Sequence, residues 1–133
     1  MAGKEVVIDS SAAIALAKGE RDAETIVPQY LTSGLMSAVN LAEFVQVLRR
    51  SDLDPEPVLQ VFEDAGLKVV PADSRLAWLA GELERTTRSV GLSLGDRFCL
   101  ALAISGKCPV VTTDRIWLAL DFGIDVILAR TEA

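Results

Sequence analysis

Residues 4–17 read KEVVIDSSAAIALA, and the fold follows from how this stretch is partitioned. VVI at 6–8 is an apolar run without alternation, the pattern of a strand buried on both faces of a parallel sheet. Asp9 ends the run, two serines follow, and the alanine-rich segment beyond them favours a helix. Asp9 is therefore expected where a strand leaves the sheet, which is where open α/β sheets place their ligand crevice. A carboxylate there is costly to desolvate unless it is capped, paired or bound to a metal.

The same alternation continues along the chain. Gly19 is a plausible stop for the first helix, and a second short helix is expected to break or bend near Pro28. Leu35 and Met36 read as a very short strand and Ser37 as the N-cap of a helix whose apolar side is Val39, Leu41, Phe44, Val45 and Leu48. Arg49 and Arg50 end that helix favourably for its dipole. Asp54-Pro55-Glu56-Pro57 starts another helix, closed by Gly66, and LKVVP is a strand stopped by Pro71. Asp73 is expected to cap a helix over SRLAWLAGELERTTRS, and LSLGDRFCLALAISGK holds a further one. CPVVTTD repeats the opening pattern of apolar strand and acid; RIWLALDFG is expected as a last helix and IDVILA as a last strand. Strands alternating with helices predict a three-layer α/β domain, a central parallel sheet of about five strands flanked by helices. No linker or internal repeat divides it, so residues 1–133 are expected to form a single domain.

Composition narrows the chemistry. Half the residues are apolar, yet no run approaches the ~20 residues needed to span a bilayer. The N-terminus lacks the basic start and apolar core of a signal peptide, so a cytoplasmic location is expected. Cys99 and Cys108 lack metal-ligand spacing and read as buried free thiols. Histidine is absent, which removes histidine-based triads and imidazole zinc sites. Catalysis must then come from carboxylates, hydroxyls, lysine, arginine or a bound metal ion. The net charge of −6 argues mildly against a sequence-independent nucleic-acid binder. Acids gathered in one cleft would give the same total.

Four acids fall at matching boundaries. Asp9 follows VVI; Glu43 lies six residues past Ser37; Asp96 lies three past Ser93; Asp114 follows VVTT. Each sits near the carboxyl end of a strand or the amino end of a helix, positions that share one rim in a parallel sheet. Each also has an ordinary reading: Asp9 and Asp114 as N-caps, Ser93 and Asp96 as a capping box, Glu43 as a solvated helix face. Carboxylates crowded on one rim repel unless a cation sits among them, and oxygen ligands alone select a hard divalent ion, Mg²⁺ or Mn²⁺. Such an ion suits phosphodiester cleavage.

With these segments in hand, the chain resembles the PIN-domain ribonucleases, specifically the toxin component of VapBC-type toxin–antitoxin pairs. The matching segments are VVIDSSAAIAL at 6–16, MSAVNLAEFVQVL at 36–48, LSLGDRFCLALAI at 92–104 and VVTTDRIW at 110–117, four motifs in register. The resemblance implies a Mg²⁺- or Mn²⁺-dependent endoribonuclease, inhibition by a cognate VapB-type antitoxin, a homodimer, and structured RNA such as tRNA as substrate. By position, Asp9, Glu43, Asp96 and Asp114 match the family's acidic quartet, and Ser11 and Thr112 its small hydroxyl positions beside the first and last acids. Asp121 is expected as a solvated position rather than a fifth acid. Arg97 and Arg115 directly follow two quartet acids and are candidates for phosphate contact, with Arg49, Arg50, Arg85 and Arg88 as others. Trp78 and Trp117 sit at helical spacing with leucines and read as core or dimer-interface residues.

Two rival readings stay open at this level. A doubly wound Mg²⁺-dependent phosphatase or phosphoacceptor also places an acid after its first strand, but a dehalogenase-like site wants a second Asp where Ser11 stands. A domain that keeps the fold only to bind a partner would lack metal-dependent stabilisation.

Overall fold

Short, largely apolar parallel strands need cover on both sides, and the chain supplies it by returning a helix after nearly every strand. The computed structural model describes residues 4–130. Its elements are β1 (Val6–Ile8), α1 (Ser10–Ala17), α2 (Arg21–Ile26), α3 (Pro28–Leu31), β2 (Gly34–Ser37), α4 (Ala38–Arg50), α5 (Pro55–Asp64), β3 (Lys68–Val70), α6 (Ser74–Glu82), α7 (Glu84–Thr87), α8 (Leu94–Gly106), β4 (Val110–Thr112), a 3-10 helix (Arg115–Ala119) and β5 (Val126–Leu128). Strand order is β3-β2-β1-β4-β5, and every pairing is parallel. From β1 the chain winds outward through β2 and β3, then returns to the other side through β4 and β5. The order therefore reverses between β1 and β4, and such a switch point is where parallel sheets open a crevice at their carboxyl ends.

Side chains alternate across the sheet. Val6, Ile8, Met36 and Val111 join one core with Ala12, Phe44, Leu48 and Phe62. Val7 and Val110 face a second core built from α6, α8 and Trp117. α4 serves both, because Phe44 and Leu48 enter the first core while Val39 packs against the second. The two sheet faces are thus joined by a helix that also carries Glu43.

Local signals explain most boundaries. Ser37 caps α4 by accepting from the Asn40 amide, Asp54 and Asp73 cap α5 and α6, and Ser93 and Asp96 form the reciprocal box at α8. Pro28 starts α3 immediately after Val27, dividing this helical segment as its ring requires. Gly66 turns with φ +124°, and a Cβ there would lie 2.6 Å from the Thr32 carbonyl oxygen, so only glycine fits. Both cysteines are free and buried. Among the described residues no helix is long and apolar enough to cross a membrane.

Three expectations need correction. RIWLALDFG is a short 3-10 helix, not an α-helix: Leu120 is already extended and Gly123 turns with φ +73°. The helix expected over 74–89 divides at Leu83, whose carbonyl receives the amides of Thr86 and Thr87 and both their hydroxyls, tightening that turn. Trp117 is wholly buried, but Trp78 is 76% exposed, which removes the core half of its core-or-dimer-interface expectation. Its neighbours Leu76 and Ala80 occupy the buried side of α6 and leave Trp78 facing outward.

Candidate active site

Asp9 follows β1 directly and occupies the N-cap position of α1, yet makes no side-chain cap bond. Its Oδ2 accepts instead from the Ser11 hydroxyl at 2.6 Å and the Thr112 hydroxyl at 2.9 Å, across the β1–β4 switch point. Its Oδ1 is buried with no hydrogen-bond partner. The residue is only 2% exposed. Burial pushes its carboxyl up to about 6, against the pull of the Ser11 and Thr112 hydroxyls, and the charges of Asp96 and Glu43 raise it further. The capping explanation therefore fails for Asp9: half of its carboxylate is desolvated and left without a partner.

Ser11 and Thr112 do more than hold Asp9. The Thr113 amide donates to Ser11 Oγ and the Asp114 amide to Thr112 Oγ1, each at 3.1 Å. The hydroxyls thus fix the loop that presents Asp114. Asp114 is exposed and does cap, its Oδ1 accepting from the Ile116 amide at 3.1 Å. Asp96 is half-buried and caps through Oδ2, which accepts from the Ser93 amide at 2.9 Å. Burial raises its carboxyl, the Ser93 bonds lower it, and the charges of Glu43 and Asp114 raise it again.

Glu43 is not a solvated helix face. Its Oε1 accepts from Ser10 Oγ and from Asn40 Nδ2, both at 2.9 Å, and its carboxylate lies against Gly95 at the start of α8. The charges of Glu43 and Asp96 act on Asp9, and those of Glu43 and Asp114 on Asp96, so the quartet shares one electrostatic environment at one end of the sheet. Among the described residues no three acidic, cysteine or histidine side chains stand in a group that would hold a metal ion. Asp96 and Asp114 each turn one oxygen onto a backbone amide, and Glu43 turns one toward Ser10 and Asn40. Each keeps its other oxygen outside those bonds. With the orphaned Oδ1 of Asp9, the donor set is all oxygen, as a hard divalent ion requires.

The arginines singled out in the sequence lie at the surface or in local bonds. Arg97 donates from Nε to the Ser93 carbonyl at 3.3 Å, Arg88 pairs with Glu84 at 2.9 Å and Arg49 lies 3.7 Å from Asp54. Arg50, Arg85 and Arg115 are exposed, as is Asp121. A further set of cations lies beside the loop that carries Asp114. Lys18, Arg21 and Arg130 line a cleft of about 710 Å³ that also touches Ser11 and Thr113, with Glu20 and Asp22 on its wall. Arg130 reaches the Thr113 carbonyl at 3.5 Å.

Residues 6–123 match the family model of the PIN domain. This chain belongs to the PIN domain family. No curated protein matches it in sequence. The PIN fold of this chain is shared with solved structures across nearly their whole length. A toxin–antitoxin complex from Klebsiella pneumoniae superposes with TM-score 0.75 at 14% identity, covering 95% of this chain and 98% of that one. DNA-bound VapBC from Salmonella typhimurium gives 0.72 at 21% identity, covering 98% and 100%. A sarcin–ricin-loop-cleaving VapC toxin of Mycobacterium tuberculosis gives 0.73 at 15% identity, covering 91% and 99%.

Sequence reasoning did not find Ser10, Asn40 or Gly95, nor the Lys18–Arg21–Arg130 cleft. Asn40 was the accessible one, since it precedes Glu43 by three helical positions and shares its face. Gly95 pairs with α4 across 55 residues of sequence, a contact no local pattern carries.

Proposed function

We propose that this PIN-domain protein is a Mg²⁺- or Mn²⁺-dependent endoribonuclease that acts as the toxin of a VapBC-type pair. One observation carries the nuclease reading: a buried carboxylate, Asp9, whose free oxygen has no partner and which two further acids perturb. A protein does not hold such a group for stability, because burying it unpaired is unfavourable. Asp9, Asp96 and Asp114 would hold the ion, with Glu43 a ligand or the group that orients the attacking water. When bound there, a divalent ion would supply an acidified water and charge stabilisation for the leaving oxygen.

The rest belongs to the chain. Ser11 and Thr112 hold Asp9 by one oxygen and leave the other without a partner. Thr112 and Ser11, through the amides of Asp114 and Thr113, set the reach of the loop that bears Asp114. Lys18, Arg21 and Arg130 offer cations beside this centre, where a polyanionic backbone needs them on an otherwise acidic protein. Structured RNA, tRNA among the candidates, is the substrate class of this reading. The architecture shared with toxin–antitoxin complexes supports a VapB-type antitoxin as partner, and a homodimer is the assembly proposed with it.

The test is cleavage of purified RNA by the wild type and by Asp9→Asn and Asp96→Asn, in Mg²⁺, Mn²⁺ and EDTA. Cleavage that needs the metal and vanishes in both variants is expected. Equal cutting in EDTA, or by either variant, overturns the proposal. A wild type that neither cuts RNA nor gains thermal stability from millimolar metal would be a partner-binding domain instead.

A further inference from the structure

We infer that Gly95 and Asn40 are positioning residues for Glu43, forming a slot between α4 and α8 that dictates where its carboxylate lies; the catalytic part of this inference rests on the nuclease reading above. Asn40 is fully buried, and its hydrogen-bonding capacity is used on all sides. Its Oδ1 accepts from Ser37 Oγ at 2.7 Å. Its Nδ2 donates to Glu43 Oε1 at 2.9 Å and to the Gly95 carbonyl at 3.0 Å. Turning the amide over would bring its oxygen against two acceptors, so the network admits one orientation. Ser10 adds the second donor to Oε1. One oxygen of Glu43 is thereby tethered to two helices and, through Asn40, to the start of α8.

Gly95 makes the room. It lies in the first turn of α8 with ordinary negative φ, where alanine is the better helix former and glycine has no conformational advantage. A Cβ built on it would overlap Glu43 Oε2 and Cδ and come within 2.7 Å of Oε1. The missing side chain is thus occupied by the Glu43 carboxylate. The obstructed atoms are the far end of a flexible side chain, so a methyl group at 95 would displace the carboxylate without opposing the fold. This asymmetry separates positioning from architecture: the atoms in the way belong to the end of a side chain that can move, not to backbone.

The experiment is Gly95→Ala, with Glu43→Asp made alone and in the Gly95→Ala background. Gly95→Ala is expected to melt at or above the wild-type temperature. Its crystal structure should show the Glu43 carboxylate withdrawn from Ser10 and Asn40. Mn²⁺ affinity by calorimetry or kcat for RNA cleavage should fall about 10- to 100-fold with KM nearly unchanged. The shorter Asp at 43 clears the new methyl, so it should cost less activity in the Gly95→Ala background than alone. Unfolding of Gly95→Ala, a carboxylate still bonded to Asn40, or Mn²⁺ affinity and kcat both within twofold of wild type would each overturn the inference. A wild type without metal-dependent cleavage would instead remove the nuclease reading, while the structure and Mn²⁺ affinity of Gly95→Ala would still decide whether the slot exists.

Discussion

Asp9→Asn, studied in EDTA across a range of pH, isolates what it costs this fold to keep a bare carboxylate under β1. Burial raises Asp9 from 3.8 to about 6, with the Asp96 and Glu43 charges adding to the rise and the Ser11 and Thr112 bonds opposing it. The folded protein therefore holds this proton more tightly than the unfolded chain. At low pH both states carry the proton and no penalty exists. As pH rises from 3.8 to about 6 the unfolded chain ionises first, and stability falls until the folded group has ionised too. At roughly 1.4 kcal/mol for each pH unit, the loss is about 3 kcal/mol, or ~10 °C in melting temperature for a chain of this length. An amide does not titrate, so Asp9→Asn lacks this slope. Whatever the amide itself costs at about pH 4, where the unfolded carboxyl is already partly ionised, the stability difference should move by about 2.4 kcal/mol in the variant's favour by about pH 7.5. Urea denaturation followed by circular dichroism at each pH measures it. A difference that stays flat, or moves toward the wild type, refutes the burial argument. Saturating Mn²⁺ should shift the order back toward the wild type, since a carboxylate at position 9 would gain more from a cation beside Oδ1 than an amide does.

Three other perturbations probe different parts of the molecule. Thr112→Val removes the donor to Asp9 Oδ2 and the acceptor of the Asp114 amide. RNA cleavage should slow about 10- to 100-fold, with a modest loss of stability of about 1–2 kcal/mol by denaturation. Gly66→Ala forces a Cβ to 2.6 Å from the Thr32 carbonyl oxygen at φ +124°, far from the acids. It should destabilise by about 2–4 kcal/mol while the folded fraction keeps its activity, which titration of active sites against folded protein would show. Lys18→Ala and Arg130→Ala should each weaken RNA binding and reduce the steepness of its salt dependence by roughly one phosphate contact, read by fluorescence anisotropy across a salt series. An unchanged slope in both would take the cleft off the RNA path.

Local sequence determined a good deal of this protein. VVI at 6–8, placed before Asp9, is a buried strand by its lack of alternation; Ser37, Asp54, Asp73 and Ser93 are caps because each precedes amides that need an acceptor. These are signals of short range, set by the hydrogen bonds a helix start lacks and by the period of the apolar residues. The same signals failed where tertiary packing competed with them. RIWLALDFG has helical composition but becomes a 3-10 helix with Trp117 drawn wholly inside, and Trp78 faces outward beside residues that do enter the core. The site shows the division most clearly. The four acids and their order along the chain were legible as residues at element boundaries. That Asp9 declines to cap, that its Oδ1 is left alone, and that Glu43 lies where Gly95 has no side chain were not. These depend on Thr112 meeting Asp9 across 103 residues and Asn40 meeting Gly95 across 55. A parallel sheet brings such segments together only after long crossovers, so the oxygen that remains free is chosen by packing between elements rather than by any pattern within one.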